Sequence, residues 1–419
     1  MRNMKESGIA WVGPMPIEWN IKRGKFTLRL LNRPIEETDE VITCFRDGEV
    51  TLRKNRREDG FTVSLKEIGY QGIEPGDLVI HGMDGFAGSI GISDSRGKAS
   101  PVLVVCDSEE NKKYIMYYLR SMAYNDVFTA LATGIRVRSC DLRWNKIAEL
   151  PYILPPVMEQ IKIIQAIDDS TAKVDALIAN VQAQIEKLKD YKKSLITEVI
   201  TLGLNSNVSL KESCIENQQS VPEHWAFLRG RYVAPVNKSV KFPGAEEYIT
   251  YAPMECVRND SFTPKSIQVK NLSSGLSSFS EGDVLLAKIT PCFENGNVAI
   301  AENLINGVGA GSSELIAFTP REINARFFMY YLQNHYFVES GKATIRGIGG
   351  LRRITSLFVD NIALYAPDVY EQEEIVAFLD DKCAKIEQLI TIKQKKIEYL
   401  EQYKKSLIYE YVTGKKEVS

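Results

Sequence analysis

The sequence has no CxxC pair, no uninterrupted apolar run near the roughly 18 residues a membrane helix needs, and no phosphate loop of the GxxxxGK[ST] form. The first absence, with seven cysteines scattered singly (Cys44, Cys106, Cys140, Cys214, Cys256, Cys292 and Cys383), argues against a disulfide framework and for a reducing compartment. The second excludes a helical membrane protein. Residues 1–8 carry Arg2, Lys5 and Glu6 with no apolar stretch behind them, so they do not read as a secretory signal. The third excludes the usual nucleotide-driven motor. Histidine is scarce too: His81, His224 and His335 stand in unlike contexts and read as structural or surface residues rather than metal ligands.

An excess of positive charge is also missing. Lys and Arg number 52 against 54 Asp and Glu, a net charge of −2, whereas a small autonomous DNA binder is usually basic. Any nucleic-acid surface must therefore be a local patch. Nor is a catalyst visible. A methyltransferase needs a glycine-rich cofactor loop and an Asn- or Asp-Pro-Pro-aromatic motif, but Pro155-Pro156 is preceded by Leu154 and followed by Val157. Asp77 and Asp283, each after a glycine and before an apolar run, read as turn formers.

What the chain does have is one unit written twice. Residues 157–202 laid on 369–414, an offset of 212, match at 22 of 46 positions. Weaker landmarks repeat as well. Pro16-Ile-Glu-Trp19 answers Pro222-Glu-His-Trp225, and Gly76-Asp-Leu-Val-Ile80 answers Gly282-Asp-Val-Leu-Leu286. Tyr114-Ile-Met-Tyr-Tyr-Leu119 answers Phe327-Phe-Met-Tyr-Tyr-Leu332. Between these landmarks the halves share little. A constant frame with divergent filling suggests two domains of one fold that recognise different things.

The repeated segments lack internal proline and glycine and are rich in helix formers. Val174, Ile178, Val181, Ile185, Leu188, Lys192, Leu195 and Val199 alternate spacings of four and three, which predicts a coiled-coil seam. Ile386, Ile390, Lys393, Ile397, Leu400, Lys404, Leu407 and Tyr411 hold the same register, and lysine interrupts both seams at Lys192 and Lys404. Two matching seams predict that the helices pair antiparallel as a spacer between two heads. The fold class is α+β: a head over 1–155, a repeated spacer helix over 156–204, a second head over 205–367 and a second spacer helix over 368–419.

In each head, strand-like runs precede a helix. They are 77–80, 89–92 and 102–105 before a helix at 111–123, then 283–286, 298–300 and 314–318 before one at 323–335. Basic and glycine-rich segments fall where loops should be. Arg53, Lys54, Arg56 and Arg57 cluster in the first head, and Thr133-Gly-Ile-Arg136-Val-Arg138 follows its helix. In the second head Lys288 follows a strand. The run Ile345-Arg346-Gly-Ile-Gly-Gly-Leu-Arg352-Arg353 is the most DNA-like in the chain. Glycines let a backbone approach phosphates, and arginines hold phosphates or bind guanine edges bidentately.

The run Asp77-Leu-Val-Ile-His-Gly-Met-Asp-Gly-Phe-Ala-Gly-Ser-Ile-Gly-Ile-Ser93, followed by Ser100-Pro101, resembles the target-recognition domain of type I restriction–modification specificity subunits. So do Thr133-Gly-Ile-Arg136, Leu154-Pro-Pro-Val-Met-Glu-Gln160 at the start of the first long helix, and the Pro-x-x-Trp opening of each head. The resemblance covers essentially the whole chain. Phe86 stands where the family often has Trp, and the second helix opens with only one proline, Pro367, before Glu371-Gln372.

The resemblance implies a non-catalytic subunit in which each head reads one half of a bipartite double-stranded DNA site. The spacer helices would set the unread gap and dock two methyltransferase subunits. Glu159, Gln160, Val174, Ile178, Ile185, Leu188 and Leu195, with Glu371, Gln372, Ile386, Ile390, Ile397, Leu400 and Leu407, would serve that spacer and docking role. Restriction and translocase subunits would complete the complex in a prokaryotic cytoplasm. No cofactor is expected on this chain; S-adenosylmethionine, ATP and Mg²⁺ are expected on the partners. Phosphate contacts made by those partners would account for the near-zero net charge. The rival reading keeps the repeat and drops the DNA, making the chain a coiled-coil adaptor with two protein-binding heads.

Overall fold

Two proline- and glycine-free segments run as single helices, Val157–Leu202 and Val369–Val412, of 46 and 44 residues. Proline stops the strand before each of them, at Pro155-Pro156 and at Pro367. A left-handed glycine ends each: Gly203 at φ 76° and Gly414 at φ 72°, with Gly203 N donating back to Val199 O at 3.0 Å. The computed structural model describes residues 2–56, 67–130, 142–236, 239–347 and 352–418. It divides into two compact units, 1–182 with 395–419, and 183–394. Each unit therefore holds one head and a stretch of both long helices.

In the first unit a four-stranded antiparallel sheet runs in the order Arg29–Leu30, Leu103–Asp107, Leu78–His81, Ile90–Ile92. Its strands are apolar on both faces because both are covered. Leu78 and Ile80 point into the core that the helix Lys112–Tyr124 and the long helices build, while Val79 and Val105 face a smaller cluster with Ile42, Cys44, Val50 and Ile73. Asn111 caps that helix by accepting from Lys113 N. Tyr114, Tyr118, Leu119 and Met122 supply its buried face.

The second unit repeats the motif with three strands, Val298–Ile300, Val284–Ala287 and Leu315–Phe318. Val284 and Leu286 face the helices; Leu285 and Ala287 face a separate cluster with Phe279 and Leu304. A second sheet is added there, in the order Lys265–Gln268, Tyr248–Ala252, Val308–Gly311, Ser277–Ser280, with one parallel pair. The sequence predicts one helix over 323–335; the structure has two, Ala325–Gln333 and His335–Ala343. Asn334 divides them by taking extended backbone and accepting from Phe337 N at 3.0 Å, so it starts a helix rather than continuing one.

The two long helices pair antiparallel within each unit. In the second, Lys192 Nζ donates to Glu387 Oε1 at 2.8 Å and Lys393 Nζ to Gln184 Oε1 at 2.5 Å, so numbers rise on one helix as they fall on the other. In the first, Lys404 Nζ donates to both oxygens of Asp175, at 2.6 and 2.7 Å. The 212-residue offset carries Lys192 onto Lys404 and Asp175 onto Glu387, so the polar breaks in the two seams are one ion pair written twice. Val174, Val181, Ile185, Val199, Ile386, Ile390, Leu407 and Tyr411 are buried, as the seam requires. Ile178, Leu188, Leu195, Ile397 and Leu400 are half-buried.

Lys192 is 8% exposed while its partner's side chain stays in water, so solvent discounts the attraction. Reversing either charge, Lys192→Glu or Glu387→Lys, should lower stability, and making both changes should recover most of the loss. A coupling energy of about 1 kcal/mol is expected from a four-protein urea cycle. Strict additivity would show that the pair does not stabilise the seam.

Candidate nucleic-acid interface

Each head is fastened to its long helix by the same set of side chains. In the first unit Trp19 Nε1 donates to Glu159 Oε2 at 3.0 Å, and in the second Trp225 Nε1 donates to Glu371 Oε1 at 3.1 Å. Next in sequence, Gln160 accepts from Asn111 N at 3.0 Å and donates to Pro155 O at 2.9 Å. Gln372 likewise accepts from Asn324 N and donates to Pro367 O, both at 2.9 Å. Each glutamine ties the residue capping a head helix to the turn that starts a long helix. Arg2 also binds Glu159, and this pairing with the indole bond holds the carboxyl below its ordinary range against the opposing effect of burial. The resemblance assigns these four residues a spacer and docking role. Gln160 and Gln372 are buried, and Glu159 and Glu371 are engaged by the tryptophans, so all four join head to helix.

A second fastening repeats about two helical turns beyond. Asp168 takes Tyr117 Oη at 2.5 Å and Lys113 Nζ at 2.6 Å. Its counterpart Asp380 takes Tyr330 Oη at 2.7 Å and Arg326, which also reaches Asp260 at 3.2 Å. Burial and the neighbouring carboxylate push both tyrosine hydroxyls up, so they act as donors at every physiological pH. Asp168 and Asp380 escaped the sequence reading. They do sit at equivalent places in the repeat, off the seam, and the repeated Tyr-Tyr-Leu of the head helix holds their partners.

The basic segments fare differently in the two heads. In the first, Arg53 Nε donates to Thr43 Oγ1 at 3.2 Å, and Lys54 pairs with Glu40 at 2.5 Å. Arg56 lies over the Phe45 ring at 4.3 Å and pairs with Asp47 and Glu49 at 2.7 and 2.8 Å. The cluster is thus largely neutralised by its own hairpin. Arg57, Arg136 and Arg138 lie outside the described residues.

In the second head, four of the expected residues come together at the end of strand Val284–Ala287. Lys288 N donates to Glu314 O at 2.9 Å, and Lys288 O accepts from Ile354 N at 3.1 Å. Thr290 N donates to Arg352 O at 2.9 Å, while Arg346 and Arg353 exchange both backbone hydrogen bonds at 2.9 Å. This pins the two ends of the glycine-rich segment beside the strand; residues 348–351 lie outside the described residues. Arg346 and Arg352 are exposed and make no side-chain hydrogen bond or ion pair among the described residues. Arg353 is held bidentately by Glu314, Nε to Oε2 at 2.7 Å and Nη2 to Oε1 at 2.6 Å. The Arg353 guanidinium, helped by Lys288, holds the Glu314 carboxyl below its ordinary range.

The aspartates and the histidine His81 that the sequence sets apart are taken up by local hydrogen bonds. Asp77 and Asp283 accept from Glu74 N and Ser280 N, each at 2.8 Å, and so close turns behind Gly76 and Gly282 as expected. His81 Nδ1 accepts from Asp84 N at 3.0 Å. Among the described residues no three His, Cys, Asp or Glu side chains gather as metal ligands, and no helix is long and apolar enough to cross a membrane.

Residues 233–402 match the family model described as the type I restriction modification DNA specificity domain. A putative type I restriction enzyme MjaX specificity subunit from Methanocaldococcus jannaschii is 22% identical over 445 aligned positions, covering 96% of this chain and 95% of that one. The chain is thus similar to type I specificity subunits over most of its length. The EcoEI specificity subunit of Escherichia coli is 29% identical over 166 residues, a match that takes in 38% of this chain and only 28% of the length of that relative. Among solved structures, a chain of a type I R-M system described for its complex assembly and conformational transition superposes with a TM-score of 0.68. It is 16% identical and covers 95% of this chain and 98% of that one. The HsdS subunit from Thermoanaerobacter tengcongensis gives a TM-score of 0.50 at 16% identity over 96% and 98% of the two chains. These likenesses carry the α+β, two-headed, coiled-coil fold of the family.

Proposed function

We propose that this chain is the sequence reader of a type I restriction–modification complex. Each head contacts one half of a bipartite duplex site, and the paired helices set the gap. The observation that carries this reading is the contrast between frame and filling. The tryptophan, glutamine and aspartate fastenings recur at equivalent residues in both units. The strands between them differ, the second head carrying an additional four-stranded sheet where the described residues of the first form two-stranded pairs. Duplicated scaffolds with unlike filling suit a split, asymmetric site.

The partners follow from the same duplication. The first turn of each long helix exposes large apolar side chains, Val157 and Met158 on one and Val369 and Tyr370 on the other. Two equivalent apolar surfaces support two copies of a methyltransferase subunit, with restriction and translocase subunits joining them. In this reading the chain performs no chemistry. The partners supply S-adenosylmethionine, ATP and Mg²⁺, the partners' own cations share the phosphate contacts, and the complex works in a prokaryotic cytoplasm.

The test is co-expression with the neighbouring methyltransferase gene and genome-wide mapping of methylated adenine. A single split motif is expected. Replacing residues 205–367 by the second head of another specificity subunit should rewrite one half of it and leave the other half unchanged. Changes in both halves, or methylation without a motif, would refute the division of labour.

A further inference from the structure

We propose that Arg353 is a positioning residue and that Arg346 and Arg352 are the second head's DNA contacts, an assignment that rests on the DNA-reading function proposed above. In sequence the four cations Lys288, Arg346, Arg352 and Arg353 are interchangeable. The structure separates them. Arg353 gives two of its guanidinium donors to the two oxygens of Glu314, Nε to Oε2 and Nη2 to Oε1. Its backbone does the shaping: it exchanges both hydrogen bonds with Arg346 and forms a further bridge with Ile289. One residue thereby joins the described flanks, Arg346 and Arg352–Arg353, and pins them to the end of strand Val284–Ala287. Arg346 and Arg352 are exposed, and among the described residues their side chains are unengaged.

The chemistry gives the two roles opposite signs in one experiment. If Arg353 contacts DNA, Glu314 competes for it and adds negative charge beside the phosphates. Glu314→Gln would then strengthen binding. If Arg353 positions its neighbours, the same substitution loosens the backbone pairing that carries Arg346 and Arg352 and weakens binding. The groups that act on the nucleic acid are then Arg346 and Arg352, and the carboxylate serves their placement although its charge repels DNA.

The experiment uses the full chain, co-expressed with the neighbouring methyltransferase gene, and a fluorescent pool of random-sequence duplexes titrated between ~50 and ~200 mM salt. Arg346→Ala and Arg352→Ala should each weaken binding to the selected sequence about 10- to 100-fold. Each should either relax one position of the motif or lower the log–log salt slope by about one. Glu314→Gln and Arg353→Met should weaken binding several-fold with the motif and the salt slope unchanged. The exchanged pair, Glu314→Arg with Arg353→Glu, should restore most of the binding, which also separates positioning from simple misfolding.

Tighter binding by Glu314→Gln would overturn the proposal. So would a salt slope lowered by about one in Arg353→Met, or an exchanged pair no better than that single variant. Failure of the wild-type protein to bind any duplex would overturn this assignment and the DNA-reading function together, and is told apart because wild type and variants then fail alike.

Discussion

Trimming one heptad from each long helix, residues 176–182 and 397–403, should shorten the gap between the two half-sites by about three base pairs. The choice of residues follows from the pairing. Residues 176 and 403 face each other, as do 182 and 397, because Asp175 meets Lys404 and Lys192 meets Glu387. The deletion therefore spares Asp175–Lys404, Gln184–Lys393 and Lys192–Glu387, and restores the four-three alternation across the cut. Seven helical residues are worth about 10 Å, against 3.4 Å per base pair along B-DNA. Three base pairs also turn the duplex by about three-tenths of a turn, so affinity should fall as the gap changes. Genome-wide methylation mapping or duplex selection reads the gap directly. An unchanged gap in a protein that keeps its helical content would mean that the helices do not measure the site.

Trp225→Ala should cost the second unit about 3–5 kcal/mol, the range for removing a fully buried tryptophan. Trp225 is 1% exposed and packs edge-on against Phe327 with ring centroids 6.3 Å apart. Its indole also supplies a hydrogen bond to Glu371, leaving His224 at 2.8 Å as that carboxylate's remaining partner when the ring is gone. Trp225→Phe keeps part of the ring volume and loses the donor, so about 1–3 kcal/mol is expected. Hydrogen exchange is the suitable measurement because the two units need not unfold together. Protection should fall mainly within 183–394. Equal small losses for Ala and Phe would show that the tryptophan is a surface cover and not a fastening.

Much of this architecture was legible in the sequence because it rests on periodicity and duplication. The long helices, their seam, the strand–strand–helix order of each head and the turn role of Asp77 and Asp283 all follow from local pattern. Side-chain pairing between remote segments was not legible. Trp19 and Glu159, 140 residues apart, were both singled out without being joined, and Asp168 and Asp380 were not singled out at all. Local charge was misleading for a related reason. The cluster at Arg53, Lys54 and Arg56 reads as a cationic patch until the hairpin brings Glu40, Asp47 and Glu49 alongside. The same holds for Arg353, whose neighbour in space is Glu314. Asn334 divided a helix that composition alone would have run straight through.

The make-up of the two units has a consequence for the order of events on the ribosome. The second unit is one contiguous stretch, 183–394, whereas the first joins 1–182 to 395–419. Its core includes Leu407, Ile408, Tyr411 and Val412, and Tyr114 Oη donates to Val412 O across 298 positions of sequence. Tyr409 and Lys415 reach back to carbonyls of Trp11 and Val12. The head made first therefore waits for residues 395–419, while the head made second can close as soon as its own stretch has emerged. Vectorial synthesis should invert here, the head over 205–367 maturing before the one over 1–155. Until residues 395–419 emerge, the earlier head carries an uncovered apolar face of its own, a natural target for a chaperone.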